Sequence, residues 1–570
     1  LGFIDAKGAT QIIYKPIDHD KGGKVVAKHT EKLITDLTNQ MSEAEKKVME
    51  AYWQAATAGE KKAEENNSHA LKEWKAIVSD PKIYQQLQDC KKEGVSNPIL
   101  ARQVELLLLE FMENQASKEE IAEILRLETE IKSTFVHFRA NDQGKKVTNN
   151  ELTAMLKSEK DTYRRKEIWK ASKEIGRLVA DNIRELVRRR NEVARKQGLR
   201  DYYAMSLTLQ ELNEEKLFQL LAELKEQTDQ PYTEIKKEMD QVIAARYLYL
   251  RPEGVRPWHY EDPFFQEAPM VFDVNIDEVF ADHKLEELAE RTFQEMGFAV
   301  QGILDQSDLY ERDRKSPYAF CIDIDRKGDT RILCNLQSNA YWMNTLLHEL
   351  GHGVYQINVN PELPFLLRKA THPSSTEAIA LMMEQLGKSP TWLSHIVGVE
   401  TSALEKMTEP LAKQMKLSQL ISVRWCLVMI HFERELYLDP DQDLNRLWWD
   451  LVEQFQFVPR PEGRDEPDWA AKVHLGAFPV YYQNYLLGEL TASQLLATVS
   501  KEFPKKDHPL VENEAVGGFL KDRFFREGAR YRWDELIEQA TGEKLNPEYF
   551  VSQFVENVSN DEEKQVASKK

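Results

Sequence analysis

The chain has no stretch of about eighteen uninterrupted apolar residues, so no transmembrane helix is expected. Its 24 glycines and 22 prolines are scattered over 570 residues, with no Gly/Ser or Pro-rich tract to act as a linker between halves. No fixed period recurs, which excludes solenoids and propellers. Positive charge is also short: 76 Lys and Arg against 95 Asp and Glu leave a net charge of −19. Such a surface repels phosphate backbones and excludes a nucleic-acid partner. The local basic run at 188–196 lies inside a charged helical pattern and reads as a solvated face. The chain begins with Leu1, with no basic and apolar leader behind it, as expected of a processed chain. There are only four cysteines. Cys90 and Cys426 fit no metal spacing and read as core residues.

Most of what is present is helical pattern. Residues 30–62, 98–141 and 150–197 are rich in Glu, Lys, Leu and Ala, with apolar positions three and four apart. The last of these is expected to end at Gly198 in a left-handed cap. Helical patterns resume at 213–248, 281–297, 340–357, 374–388, 400–437, 445–457 and 479–499. The best strand patterns are 318–325 and 330–336. The fold class expected is mainly α, with a small β element just before the helix at 340. The amphipathic stripes between about 30 and 140 are expected to pack on one another, and the segment is a candidate cover for a cleft.

Chemistry concentrates at His348-Glu349-Leu350-Gly351-His352. Residues four apart on an α-helix lie about 400° round, so the two imidazoles leave nearly the same face and can hold one Zn²⁺. Glu349 then sits beside them as the base that takes a proton from the attacking water. A third ligand is needed. Glu377, in the expected first turn of a helix opened by Pro373-Ser374-Ser375-Thr376, is the candidate. Glu384, two turns on, is placed to accept a hydrogen bond from a ligand histidine. Donors for a developing oxyanion concentrate in the stretch 472–485, with Lys472, His474, Tyr481, Tyr482 and Tyr485. Cys321 and Cys334 bracket a hairpin pattern. A two-residue turn at Lys327-Gly328 would set them opposite each other, close enough for a disulfide. A bridge there would favour an oxidising, extracytoplasmic compartment, periplasmic or secreted.

With these motifs assembled, the sequence resembles the angiotensin-converting-enzyme family of gluzincin zinc metallopeptidases. The resemblance rests on HELGH at 348–352, on LPFLLRKATHPSSTEAIA at 363–380 and on DWAAKVH at 468–474. It implies a large ellipsoidal helical molecule of two halves around a deep cleft, acting on oligopeptides and carrying one zinc ion. The expected organisation is a single catalytic unit over 1–570. It comprises a mostly helical half at 1–250, a zinc-binding region at 251–556 and a polar tail at 557–570, with segments of the two halves interleaved. Glu377 falls on the family's third zinc ligand and His474 on a histidine that supports the transition state. Lys472 falls on a ligand of the substrate's C-terminal carboxylate. With one residue inserted after His474, Tyr485 becomes the oxyanion donor and Tyr482 a carboxylate ligand. Without the insertion those places go to Asn484 and Tyr481. The PWHYEDPFFQ stretch ends in Gln266, which resembles the family's third carboxylate ligand. The resemblance thus implies release of C-terminal dipeptides, and the alternative is an oligoendopeptidase of the neighbouring gluzincin family. A non-catalytic peptide-binding scaffold is disfavoured, because His348, Glu349, His352 and Glu377 are all present. Two departures stand out. Leu381 occupies a place where members carry an Asp. Asn484 stands where chloride-activated members carry an Arg, which argues against chloride as a cofactor.

Overall fold

The computed structural model describes residues 21–556 apart from 273 and 506–507, with side chains from residue 30 to 555. The polar tail expected at 557–570 lies outside the described residues. Among them the protein is 69% helical, with two two-stranded sheets.

Four helices open the chain: α1 (Lys21–Ala58), α2 (Lys61–Val78), α3 (Pro81–Glu93) and α4 (Pro98–Glu113). Then come α5 (Lys118–His137), a hairpin of β1 (Ala140–Asp142) and β2 (Lys145–Val147), α6 (Asn149–Ser158), α7 (Thr162–Lys196), α8 (Tyr202–Leu209) and α9 (Glu214–Ala245). After α10 (Leu285–Glu295) and α11 (Gln301–Gln306), the strands β3 (Phe320–Asp323) and β4 (Thr330–Leu333) lead into α12 (Ala340–Ile357) and α13 (Pro373–Glu384). The chain continues through α14 (Pro390–Trp392), α15 (Thr401–Leu438), α16 (Leu444–Gln456), α17 (His474–Ala477) and α18 (Tyr482–Glu502), followed by three shorter helices.

The single helix read at 98–141 is in fact two. Ser117 begins the second with a capping box, its side chain accepting from Glu120 N while Glu120 reaches back to the Ser117 amide. The expected cap on α7 is present, Gly198 taking φ +79° just past the helix end.

Two large hydrophobic cores organise the molecule. The first joins residues 127–265 with 417–490 and 550–555, and the second joins 274–411 with 492–540. They interleave in sequence and do not follow a division at residue 250. Helix α18 belongs to both. Tyr482, Leu486, Leu487 and Leu490 lie in the first core, and Ala492, Leu495 and Val499 in the second. Helices α1–α4 share a smaller core that also takes in Phe365 and Leu366 from the α12–α13 connection. Tyr52 and Trp53 of α1 pack on Phe320 of β3 at 5.3 and 6.1 Å. The opening helices therefore pack on one another and also lean on the strand that precedes α12.

The hairpin register corrects the cysteine pairing. Cys321 faces Ile332, and Asp323 faces Thr330. The connection is six residues long because Asp323 accepts from Arg326 N and Asp325 from Lys327 N, with Arg326 at φ +54°. Cys334 therefore lies beyond the end of β4, and both thiols are free.

Candidate metal and catalytic centre

Helices α12 and α13 cross in backbone contact. A Cβ on Gly351 would stand 2.7 Å from Ala380 Cα, so the glycine inside HELGH lets the helices approach this closely. The crossing sets Glu377 against both imidazoles. Nε2 of His348 lies 3.7 Å from Glu377 Oε1, and Nε2 of His352 lies 3.7 Å from Glu377 Oε2. The ligand atoms of all three residues fall within 4.8 Å of one another, the one such cluster of His, Cys, Asp and Glu among the described residues. Glu377 lies one turn deeper in α13 than expected. The helix is capped by His372, whose Nδ1 accepts from Ser374 N.

The far nitrogens are also engaged. His348 Nδ1 donates to Glu384 Oε2 at 3.1 Å, the supporting role expected of Glu384. His352 Nδ1 lies 2.8 Å from Thr376 Oγ1. Each contact, with the proton on Nδ1, leaves the Nε2 lone pair facing Glu377. The sequence placed Thr376 only as part of the helix opening, and its contact with His352 is new. Helix α18 presses on the same carboxylate: a Cβ on Gly488 would lie 2.9 Å from Glu377 Cγ.

The electrostatics call for a cation here. Burial opposes charge on His348, yet Glu384, Glu377 and Glu349 together raise its pKa to about 10. Burial pushes Glu377 up, and pushes Glu349 up to about 7 against the pull of His348 and of the Cys321 backbone. Two imidazole nitrogens and a carboxylate, buried and fixed by outer partners, form the donor set of a zinc site with one coordination position left open. The residues fit the metal.

Beyond the centre lies a line of aromatic and cationic groups. Tyr481 and Tyr485 stand edge to face at 5.0 Å, and burial followed by the Glu377 carboxylate raises the pKa of both, Tyr485 to about 12. Tyr482 is buried beside them, 5.7 Å from Tyr485 and 5.2 Å from His474. Burial, with Lys472 next, holds His474 down to about 4, so its ring is neutral near pH 7. Its Nδ1 is buried without a hydrogen-bond partner. Lys472 packs against Trp425, Phe264 and Tyr482 and donates to Gln266 Oε1. Burial lowers its pKa to about 8, against Asp262 and Glu267. Gln266 is therefore brought to Lys472, but its amide nitrogen is already given to Asp262 Oδ2 at 3.1 Å.

Asn484 is buried and donates to Gln210 Oε1. Val480, just before the tyrosines, takes φ +53°, a strained position for a β-branched residue. Polar contacts hold it there. Its N–H donates to Glu433 Oε1 at 2.8 Å, and its carbonyl accepts from Gln210 Nε2 and Gln483 Nε2. No local sequence signal marks this network, because its members come from three distant segments.

Comparison with known proteins finds two family models that match the chain. The family model described as peptidase family M3 matches residues 155–556, and the model described as angiotensin-converting enzyme matches residues 26–259. "Carboxypeptidase 1" of Bacillus subtilis is 20% identical over 312 residues, covering 50% of this chain and 60% of that protein. "Thermostable carboxypeptidase 1" of Pyrococcus furiosus is 27% identical over 133 residues, covering 22% of this chain and 26% of that protein. "Mitochondrial intermediate peptidase" of Coccidioides immitis is 21% identical over 209 residues, covering 34% of this chain and 26% of that protein. The matched stretches thus span from about a quarter to three fifths of these relatives' own lengths.

Proposed function

The chain belongs to peptidase family M3 and its first half resembles the angiotensin-converting enzymes, and from that premise we propose that it is a zinc-dependent peptidase of oligopeptides. The observation that carries the reading is the convergence of His348, His352 and Glu377 on one point, with Glu349 buried beside it. His348, His352 and Glu377 would hold the ion, which when bound supplies a Lewis acid and lowers the pKa of water. Glu349, with its pKa raised toward 7 by burial, is matched to take the proton of the attacking water and return it to the leaving amine. Tyr485 or Tyr481 donates its phenolic hydrogen to the oxyanion formed from the peptide carbonyl. Neutral His474 supports the same charge through an N–H donor.

For the cleavage mode, Lys472 supports release of C-terminal dipeptides. Its ammonium lies 5.9 Å from the ring of Tyr482, which stands 5.7 Å from that of Tyr485, and it is held by Gln266 and suited to a lone carboxylate. A second reading, internal cleavage of oligopeptides, is favoured by Asp262 and Glu267, whose charges already face Lys472. Peptide pairs with free and amidated C-termini distinguish them. Dipeptide release requires a strong rise in KM on amidation and on Lys472→Ala, with dipeptides as the products seen by mass spectrometry. Equal cleavage of both forms selects the oligoendopeptidase.

A further inference from the structure

A cavity of about 680 Å³ opens beside the metal site, with His348 in its wall. It reaches to Glu267, next in sequence to the Gln266 that holds Lys472. With Lys472 as the carboxylate anchor proposed above, the cavity runs on the side where the substrate continues toward its C-terminus. Its flanks are apolar, from Met270, Leu411, Met415 and the ring of Tyr341. Its charged groups are mostly acceptors. Three carboxylates line it, those of Glu267, Asp277 and Glu384, against the single ammonium of Lys388. Asn344 and Gln414 also line it, but their side-chain oxygens are buried away from solvent, that of Asn344 against Gly387.

Lys472 faces Glu267, and Asp277 Oδ1 accepts from Ala340 N at 3.0 Å, but the lysines paired with Glu384 and Glu267 compete weakly. Glu384 gives one oxygen to His348, and its other oxygen lies 3.6 Å from Lys388, whose side chain is 37% exposed. Glu267 lies 3.9 Å from Lys157, with both side chains more than half exposed. Pairs of that kind contribute little and yield readily to a better-placed cation. An apolar channel with an excess of carboxylates suits a long aliphatic stem with several N–H donors at its tip.

We propose that this cavity receives the side chain of the first residue after the scissile bond and selects lysine or arginine there. The inference rests on the peptidase reading above and adds the substrate class. Opposite charge in such a half-buried cleft favours the cationic side chain, and like charge excludes an acidic one.

The test uses the zinc-loaded protein and a peptide series varied only at that position, with Arg, Lys, Leu, Phe or Asp. Products are read by mass spectrometry and rates as kcat/KM. Arg and Lys should exceed Leu by about tenfold and Asp by about a hundredfold, as one and two increments of roughly 1.4 kcal/mol give. Glu267→Lys should reduce the Arg to Leu ratio to about one, and Lys388→Gln should increase it. Cleavage that favours Leu or Phe, with a ratio unmoved by either variant, overturns this inference and leaves the peptidase reading intact. No cleavage of any member of the series overturns both.

Discussion

Glu433 offers a measurement that reaches the catalytic turn without touching substrate or metal. Its side chain is 1% exposed, accepts from Val480 N, and is pushed up to about 8 by burial, against the pull of that N–H and of Arg190. In the unfolded chain the same carboxyl titrates near the ordinary glutamate value, about 4.3. Below that value both states hold the proton. Between it and about 8 the folded protein keeps a proton that the unfolded chain releases, so the contribution to stability falls as pH rises. One pH unit corresponds to about 1.4 kcal/mol, so by pH 7 the loss is on the order of 4 kcal/mol. Glu433→Gln keeps a side-chain oxygen for Val480 and removes the titration. Thermal unfolding of the two proteins, followed in parallel from pH 5 to 8, should show the variant gaining on the parent as pH rises. A difference that stays constant across that range would refute the assignment.

Other outcomes follow from the centre itself. Glu349→Gln should retain zinc by metal analysis while losing about 10²–10⁴ in kcat, the range for a missing general base; equal loss of metal would make Glu349 a ligand instead. Chelation should abolish hydrolysis in the parent and added Zn²⁺ should restore it. Tyr485→Phe should lower kcat by about 10²–10³ with little change in KM, and if Tyr481→Phe alone shows that pattern, the oxyanion donor is one turn earlier. Gly488→Ala places a methyl 2.9 Å from Glu377 Cγ. It should weaken zinc retention on dialysis about tenfold, as displaced supports of a metal site do, and unchanged retention would show that Glu377 gives way freely.

The ligand set was legible because its spacing is local: i and i+4 on one helix, then a carboxylate on the next. Helix α12 runs over Ala340–Ile357, the span read from its apolar pattern. The hairpin failed for a physical reason. Lys327-Gly328 suggests a two-residue turn, but Asp323 and Asp325 bind backbone amides and lengthen the loop, moving the register by two residues. Gln266 was legible as a residue but not in orientation, since the direction of its amide is set by Asp262 across a turn strained at Phe265, φ +52°. The acceptors lining the cavity beside His348 come from several segments and have no common motif.

Helix α18 has a consequence for how the protein fails on heating. All three metal ligands stand on α12 and α13, inside the second core, whereas Tyr485 stands on the half of α18 that belongs to the first. The two cores can soften at different temperatures, because stability is not uniform across a large chain. A bound ion stabilises the elements that hold it, so it protects the second core directly and the first only through the helices that both cores share, α15 and α18. Warming should therefore produce a species that still carries zinc but has lost the alignment of its phenols, and turnover should vanish before metal is released.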